Sequence, residues 1–128
     1  MSDNRTPPAR PATIRTVPMP VDANANGDIF GGWVLAQMDI AGGVVAAERA
    51  KGRVATVAID RMTFVRPISV GDVVSVYAEV VKVGRTSMTV KLETFVHRRD
   101  QAAATHLLVT EGTFVYVALD EQKRPRPV

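Results

Sequence analysis

The 128-residue chain carries 16 Lys and Arg against 13 Asp and Glu, a formal charge of +3, and 46% of its residues are apolar. That length and composition fit one soluble globular domain and exclude a disordered chain. It has no cysteine, which removes disulfides, thiolate nucleophiles and Cys-based metal sites.

No apolar run approaches the ~20 residues needed to span a bilayer. The opening Met1-Ser2-Asp3-Asn4-Arg5-Thr6-Pro7-Pro8 lacks the apolar stretch of a signal peptide. A cytoplasmic location without a membrane partner is therefore expected. Much of the basicity falls near the ends, at Arg5, Arg10, Arg15, Lys123, Arg124 and Arg126. That argues against a nucleic-acid partner, which calls for a basic stripe on an ordered face. A small ligand bearing phosphates stays compatible with it.

Residues 1–11, rich in Pro and Arg, read as a disordered tail, residues 12–120 as a single domain, and residues 121–128 as a C-terminal tail. A short strand is expected at Ile14–Met19, ending at Pro20. The polar loop Asp22-Ala23-Asn24-Ala25-Asn26-Gly27-Asp28 follows, with Asn26-Gly27 as a turn and Asp28 as a group that caps or approaches the next helix. From Gly32 to about Lys51 the sequence reads as a helix, with Gly52 as its stop. Gln37 and Asp39 are its only polar side chains before Glu48. A helix apolar on nearly all sides is expected to be buried on nearly all sides. Gly42 and Gly43 each cost about 1 kcal/mol in a helix interior, which points to close approach of a neighbouring backbone.

After Gly52 the period becomes two. Val54–Val65 shifts phase near Asp60-Arg61, the mark of a bulge, and Pro67 ends it. Gly71-Asp72 turns the chain, Val73–Val83 is apolar on both faces, and Gly84-Arg85 is a tight hairpin. In Thr86–His97, Met88, Val90, Leu92 and Val96 point inward while Ser87, Thr89, Lys91 and Glu93 point outward. A polar loop over Arg98–Thr105 leads to a last strand, Leu107–Leu119, in which Gly112 marks a bulge or close contact. The short connections imply mainly antiparallel neighbours. The fold class is therefore α+β, one sheet curled around one helix, and such a sheet needs a partner to cover its edges, so self-association is expected.

Two features carry chemistry. Asp39 is an acid where the helix pattern calls for an apolar residue; an isolated helix acid is ordinarily an ion-pair or interface group, but the adjoining loop makes an active-site role the better reading. Gly31 and Gly32 put unobstructed N–H groups at a helix N-terminus, where the leading donors are unpaired and the dipole favours negative charge. They can form a backbone oxyanion site, and tight packing is a second, compatible reason for them. His97 and His106 sit at strand ends in no metal-ligand spacing and read as surface groups; no metal is expected.

The loop Asn24-Ala25-Asn26-Gly27-Asp28-Ile29-Phe30-Gly31-Gly32-Trp33, Gln37-Met38-Asp39, Gly52-Arg53-Val54-Ala55-Thr56-Val57-Ala58-Ile59-Asp60, Pro67 through Gly71-Asp72, Val83-Gly84-Arg85-Thr86-Ser87 and Phe114-Val115-Tyr116-Val117-Ala118-Leu119 occur in one order. In that order they resemble the hotdog-fold acyl-CoA thioesterases, in particular the small bacterial hydrolases of the YciA type. The resemblance covers about residues 12–128. It implies a helix wrapped by an antiparallel sheet, dimers with sheets joined edge to edge, further assembly as a trimer of dimers (a hexamer), and active sites between protomers.

By the same resemblance the catalytic pair is Asn24 of one protomer and Asp39 of the other; on composition alone Asn24 is a turn residue. Asp39 would activate water, or attack directly to give an anhydride, and both routes stay open. The substrate implied is acyl-CoA, so CoA enters as substrate and no separate cofactor is expected. Its phosphates call for nearby cations, with Arg85 in Arg85-Thr86-Ser87 first, then Arg66 and Lys82; solvated turn charges explain these residues equally well. Trp33, Met62, Phe64 and Met88 are candidates for the acyl tunnel, or simply for core. Two other functions compete, a non-catalytic acyl-CoA-binding module and a hydroxyacyl-thioester dehydratase of the same fold. The latter needs a well-placed His, which the loop and helix lack.

Overall fold

In a computed structural model of the chain, residues 5–98 and 105–128 are described. Strand β1 (Ile14–Thr16) leads through a single 3-10 turn (Pro20–Asp22) and the polar loop to helix α1 (Gly31–Ala50). Strands β2 (Val54–Phe64), β3 (Val73–Val83), β4 (Ser87–His97) and β5 (Leu107–Ala118) follow. They form one sheet in the order β1-β3-β4-β5-β2, with every pairing antiparallel. The α+β hotdog arrangement expected from the sequence is therefore present.

The details differ from expectation in instructive ways. β1 is only three residues long, because Pro18 and Pro20 lack the N–H groups a longer ladder would need. Consecutive strands β2 and β3 are not neighbours: β2 pairs with β5 at the far edge, and residues 65–72 carry the chain across to the opposite side of the sheet. The phase change in β2 is two irregularities rather than one, between Thr56 and Ala58 and between Ile59 and Arg61. The first sets how Thr56 and Val57 are aimed. The polar loop expected over Arg98–Thr105 lies mostly outside the described residues.

Helix α1 ends at Ala50 and its left-handed cap is Lys51 (φ 56°) rather than Gly52. Val34, Met38, Ala41, Gly42, Ala46 and Ala50 are buried on one stripe, against inward residues such as Val76, Val90, Leu92 and Phe114. The opposite stripe is open, with Ile40 54% and Val44 40% exposed. The helix is thus not wrapped within one chain, since a five-stranded sheet covers only one of its sides.

Gly42 answers to a side chain and not to a backbone: a Cβ there would overlap the Tyr116 hydroxyl and lie 2.8 Å from its Cζ. Gly112 does meet a backbone, the Arg61 carbonyl at 2.8 Å.

The outer sheet face is also covered. Tyr77 meets Phe95 edge to face at 5.8 Å, with Leu108 beside them. Arg10 lies over the Tyr77 ring, and Arg5 bridges Glu93 at 2.8 Å and Glu111 at 2.7 Å. Glu93 is consequently buried, contrary to the solvent-facing position its alternation suggested. Residues 1–4 of the expected tail lie outside the described residues, while 5–11 run along this face. The C-terminal segment is likewise held, through Arg126 N–H to Ala118 O and Val128 N–H to Arg85 O. Among the described residues no helix is long and apolar enough to cross a membrane.

Candidate active site

The loop before the helix is built around Asn24. Its Oδ1 accepts the backbone N–H of Asn26 at 2.9 Å and of Asp28 at 3.1 Å. Its main chain closes the same turn through Asn24 N–H to Asp28 O and Gly27 N–H to Asn24 O. Gly27 (φ 84°) supplies the left-handed residue this turn requires. Two N–H groups converging on one atom identify it as the amide oxygen. The side-chain NH2 therefore faces away, with no partner among the described residues. Asp28 does not cap the helix, for the N-cap position is Phe30 and no side chain caps it; Asp28 pairs instead with Ser69 through the backbone.

The leading N–H groups of α1 are thus left open at Gly31 and Gly32, both exposed. Packing explains Gly31, where a Cβ would stand 3.3 Å from Phe64 Cζ, but not Gly32, where nothing lies within 4 Å. Beside this helix end is a cavity of about 300 Å³, lined among others by Ile29, Gly31, Val34, Phe64 and Arg66. Arg66 donates to Leu108 O at 2.6 Å. Of the tunnel candidates only Phe64 lines this cavity; Met88 is fully buried core, and Trp33 and Met62 pack against that core.

Asp39 lies two turns further along, roughly 12 Å by the helical rise of about 1.5 Å per residue. It is half-buried. Its Oδ1 accepts the Thr56 hydroxyl at 2.6 Å and the Tyr116 hydroxyl at 2.9 Å. Thr56 and Tyr116 are direct partners in the β2–β5 ladder, so their side chains share a face and converge on one oxygen. Burial, then the Asp39 hydrogen bond and charge, push the Tyr116 phenol well above its ordinary range and keep it a donor. Neither hydroxyl was singled out from the sequence. The available sign was Tyr116 at an inward position, since a buried phenol seeks a hydrogen-bond partner.

Arg85, Thr86 and Ser87 form the β3–β4 hairpin, closed by Gly84 N–H to Ser87 O. The hairpin adjoins Asp39's anchor, because Met88 pairs with Tyr116. Lys82 is exposed in the last residues of β3. The structure thus collects Arg85 and Lys82 at the Asp39 end of the sheet, and Arg66, Asn24, Gly31 and Gly32 at the helix-start end. Within one chain the two groups do not meet.

The His97 and His106 rings lie 5.5 Å apart, tilted by 44°, near the far end of β4, where His97 pairs with Val73. Burial, then His97 and Arg15, lower the pKa of His106. Neither histidine is near Asp39, and no group of three metal-ligating side chains occurs among the described residues.

Residues 26–103 match the Thioesterase superfamily. The acyl-CoA thioester hydrolase YciA of Salmonella typhimurium is 49% identical over 116 residues, which covers 90% of this chain and 87% of that protein. The hexameric thioesterase of Yersinia pestis superposes with a TM-score of 0.85 at 46% identity, covering 94% of this chain and 97% of that one. A hexameric hotdog-fold thioesterase of Campylobacter jejuni gives a TM-score of 0.88 at 36% identity, covering 93% and 90%.

Proposed function

We propose that this chain, which belongs to the thioesterase superfamily, hydrolyses acyl-CoA to a free carboxylic acid and CoA, with Asp39 as the group that activates water. The observation that carries the reading is Asp39 itself. It is a carboxylate on an otherwise apolar helix, with one oxygen fixed by two hydroxyls. Its other oxygen, Oδ2, accepts no hydrogen bond among the described residues.

In the proposed reaction, water attacks the thioester carbon and passes a proton to Oδ2 of Asp39. The carbonyl oxygen gathers negative charge, which the open N–H groups at Gly31 and Gly32 and the Asn24 NH2 stabilise. The C–S bond then breaks, CoA leaves as the thiolate, and the thiolate recovers the proton. Asn24 acts only as a donor, because its oxygen is committed to the turn.

Each site spans two protomers in this proposal. Support comes from the roughly 12 Å of helix between the two halves of the machinery, and from the exposed apolar stripe of α1. Edge strand β2 also exposes apolar side chains, Val57 (56%) and Ile59 (43%). A two-fold partner laid there covers both surfaces and brings one helix start to the other chain's Asp39. The Yersinia and Campylobacter relatives are hexamers, and a hexamer built as a trimer of such dimers is proposed here. Arg85, Lys82 and Arg66 are then the cations for CoA phosphates.

Release of CoA from acyl-CoA, followed with a thiol reagent, tests the activity. Asp39→Asn should lower kcat by about 10²–10⁴-fold while acyl-CoA still binds. Unchanged turnover in that variant would remove Asp39 from the chemistry, binding without turnover in the native chain would leave only an acyl-CoA-binding module, and ¹⁸O from water appearing in Asp39 after one turnover would favour the anhydride.

A further inference from the structure

Oδ1 of Asp39 receives two donors, the hydroxyls of Thr56 and Tyr116. The Tyr116 hydroxyl stands 2.9 Å from that oxygen and 2.9 Å from the Asp39 main-chain carbonyl. It has a single proton to give, and the charged acceptor makes the stronger bond. The ring is 1% exposed and comes from β5, which is flanked by β4 and β2, so the hydroxyl has little freedom to leave. Gly42, one turn after Asp39 on the same helix, provides the space that the phenol occupies. A strand side chain, a helix glycine and a helix carboxylate thus fit as one unit.

We infer that Tyr116 is a positioning residue for Asp39: its hydroxyl, together with that of Thr56, locks Oδ1 and leaves Oδ2 as the oxygen that accepts the proton from water. The inference rests on Asp39 being the base. The carboxylate cannot rotate to exchange its oxygens without breaking two hydrogen bonds, which preorganises the proton acceptor.

The test is Tyr116→Phe, which keeps the ring and removes the hydroxyl. Expected is a fall in kcat of about tenfold with KM for acyl-CoA within about twofold. A merely space-filling phenol would leave kcat at the native value, because phenylalanine fills the same space. Gly42→Ala provides a second route, because it retains the hydroxyl but displaces it, and should lower kcat with KM again nearly unchanged.

Introducing Tyr116→Phe into Asp39→Asn should cause no further loss, since the coupling acts through that carboxylate. Native kcat in both single variants, with Asp39→Asn inactive, overturns the role of Tyr116 alone. Full activity in Asp39→Asn overturns the reading of Asp39 beneath it.

Discussion

Replacing Asn24 by aspartate separates its role in the turn from the catalytic role proposed for it. Its Oδ1 accepts two backbone N–H groups, at 2.9 and 3.1 Å, and its NH2 is the part free to meet substrate. Aspartate keeps an oxygen where the turn needs one, and hydrogen bonds to a charged acceptor are no weaker. Stability should therefore stay within about 1 kcal/mol of the native chain. The NH2 donor is lost, and a like charge is placed where the proposed reaction makes the thioester oxygen negative. Removal of one such donor typically costs about 10²–10³ in kcat, or about 2.7–4 kcal/mol. Asn24→Ala loses both the donor and the turn acceptor, so it should add roughly 2 kcal/mol of destabilisation at about 1 kcal/mol per hydrogen bond. Urea unfolding and steady-state hydrolysis of one acyl-CoA, measured on all three chains, distinguish the two effects. An aspartate variant with kcat within about threefold of native would refute the donor assignment.

The neighbouring glycines of α1 should respond with opposite signs. Gly42→Ala drives a methyl into Tyr116 and should cost about 1–3 kcal/mol of overpacking, more than the helix preference for Ala returns. Gly43→Ala meets only Tyr116 Cε2 at 4.0 Å and should gain about 0.5–1 kcal/mol; equal shifts of one sign in thermal unfolding would contradict this geometry. Thr94 and Thr110 are direct ladder partners whose buried hydroxyls have no hydrogen-bond partner among the described residues. Thr110→Val should raise stability by about 1 kcal/mol, seen as an increase in Tm of a few degrees, and a clear loss would point to a buried water joining the two hydroxyls.

Much of the architecture was legible because periodicity is local. The helix, the inward set Met88, Val90, Leu92 and Val96, and the Gly84-Arg85 hairpin all follow from spacing within a dozen residues. The sheet order was not, since the crossing from β2 to β3 depends on which edge completes the sheet and not on any nearby residue. The helix looked fully buried because composition cannot tell a side covered by the chain's own sheet from one that the sheet leaves open. Asp39 stood out as an acid amid apolar residues. Thr56 and Tyr116 did not, because both are ordinary strand residues. They meet only through a register that joins positions 60 residues apart in the chain.

Subunit complementation tests the proposed two-protomer active site most directly. Asn24→Ala and Asp39→Ala chains, each purified as an inactive protein, are co-expressed or dissociated and reassembled together, then assayed for acyl-CoA hydrolysis. A site that draws Asn24 from one protomer and Asp39 from its partner regains both intact residues in about a quarter of randomly mixed sites, so activity should return toward that fraction of native. No recovery in mixed assemblies of native size and stability would contradict the two-protomer site and place Asn24 and Asp39 in the service of a single chain.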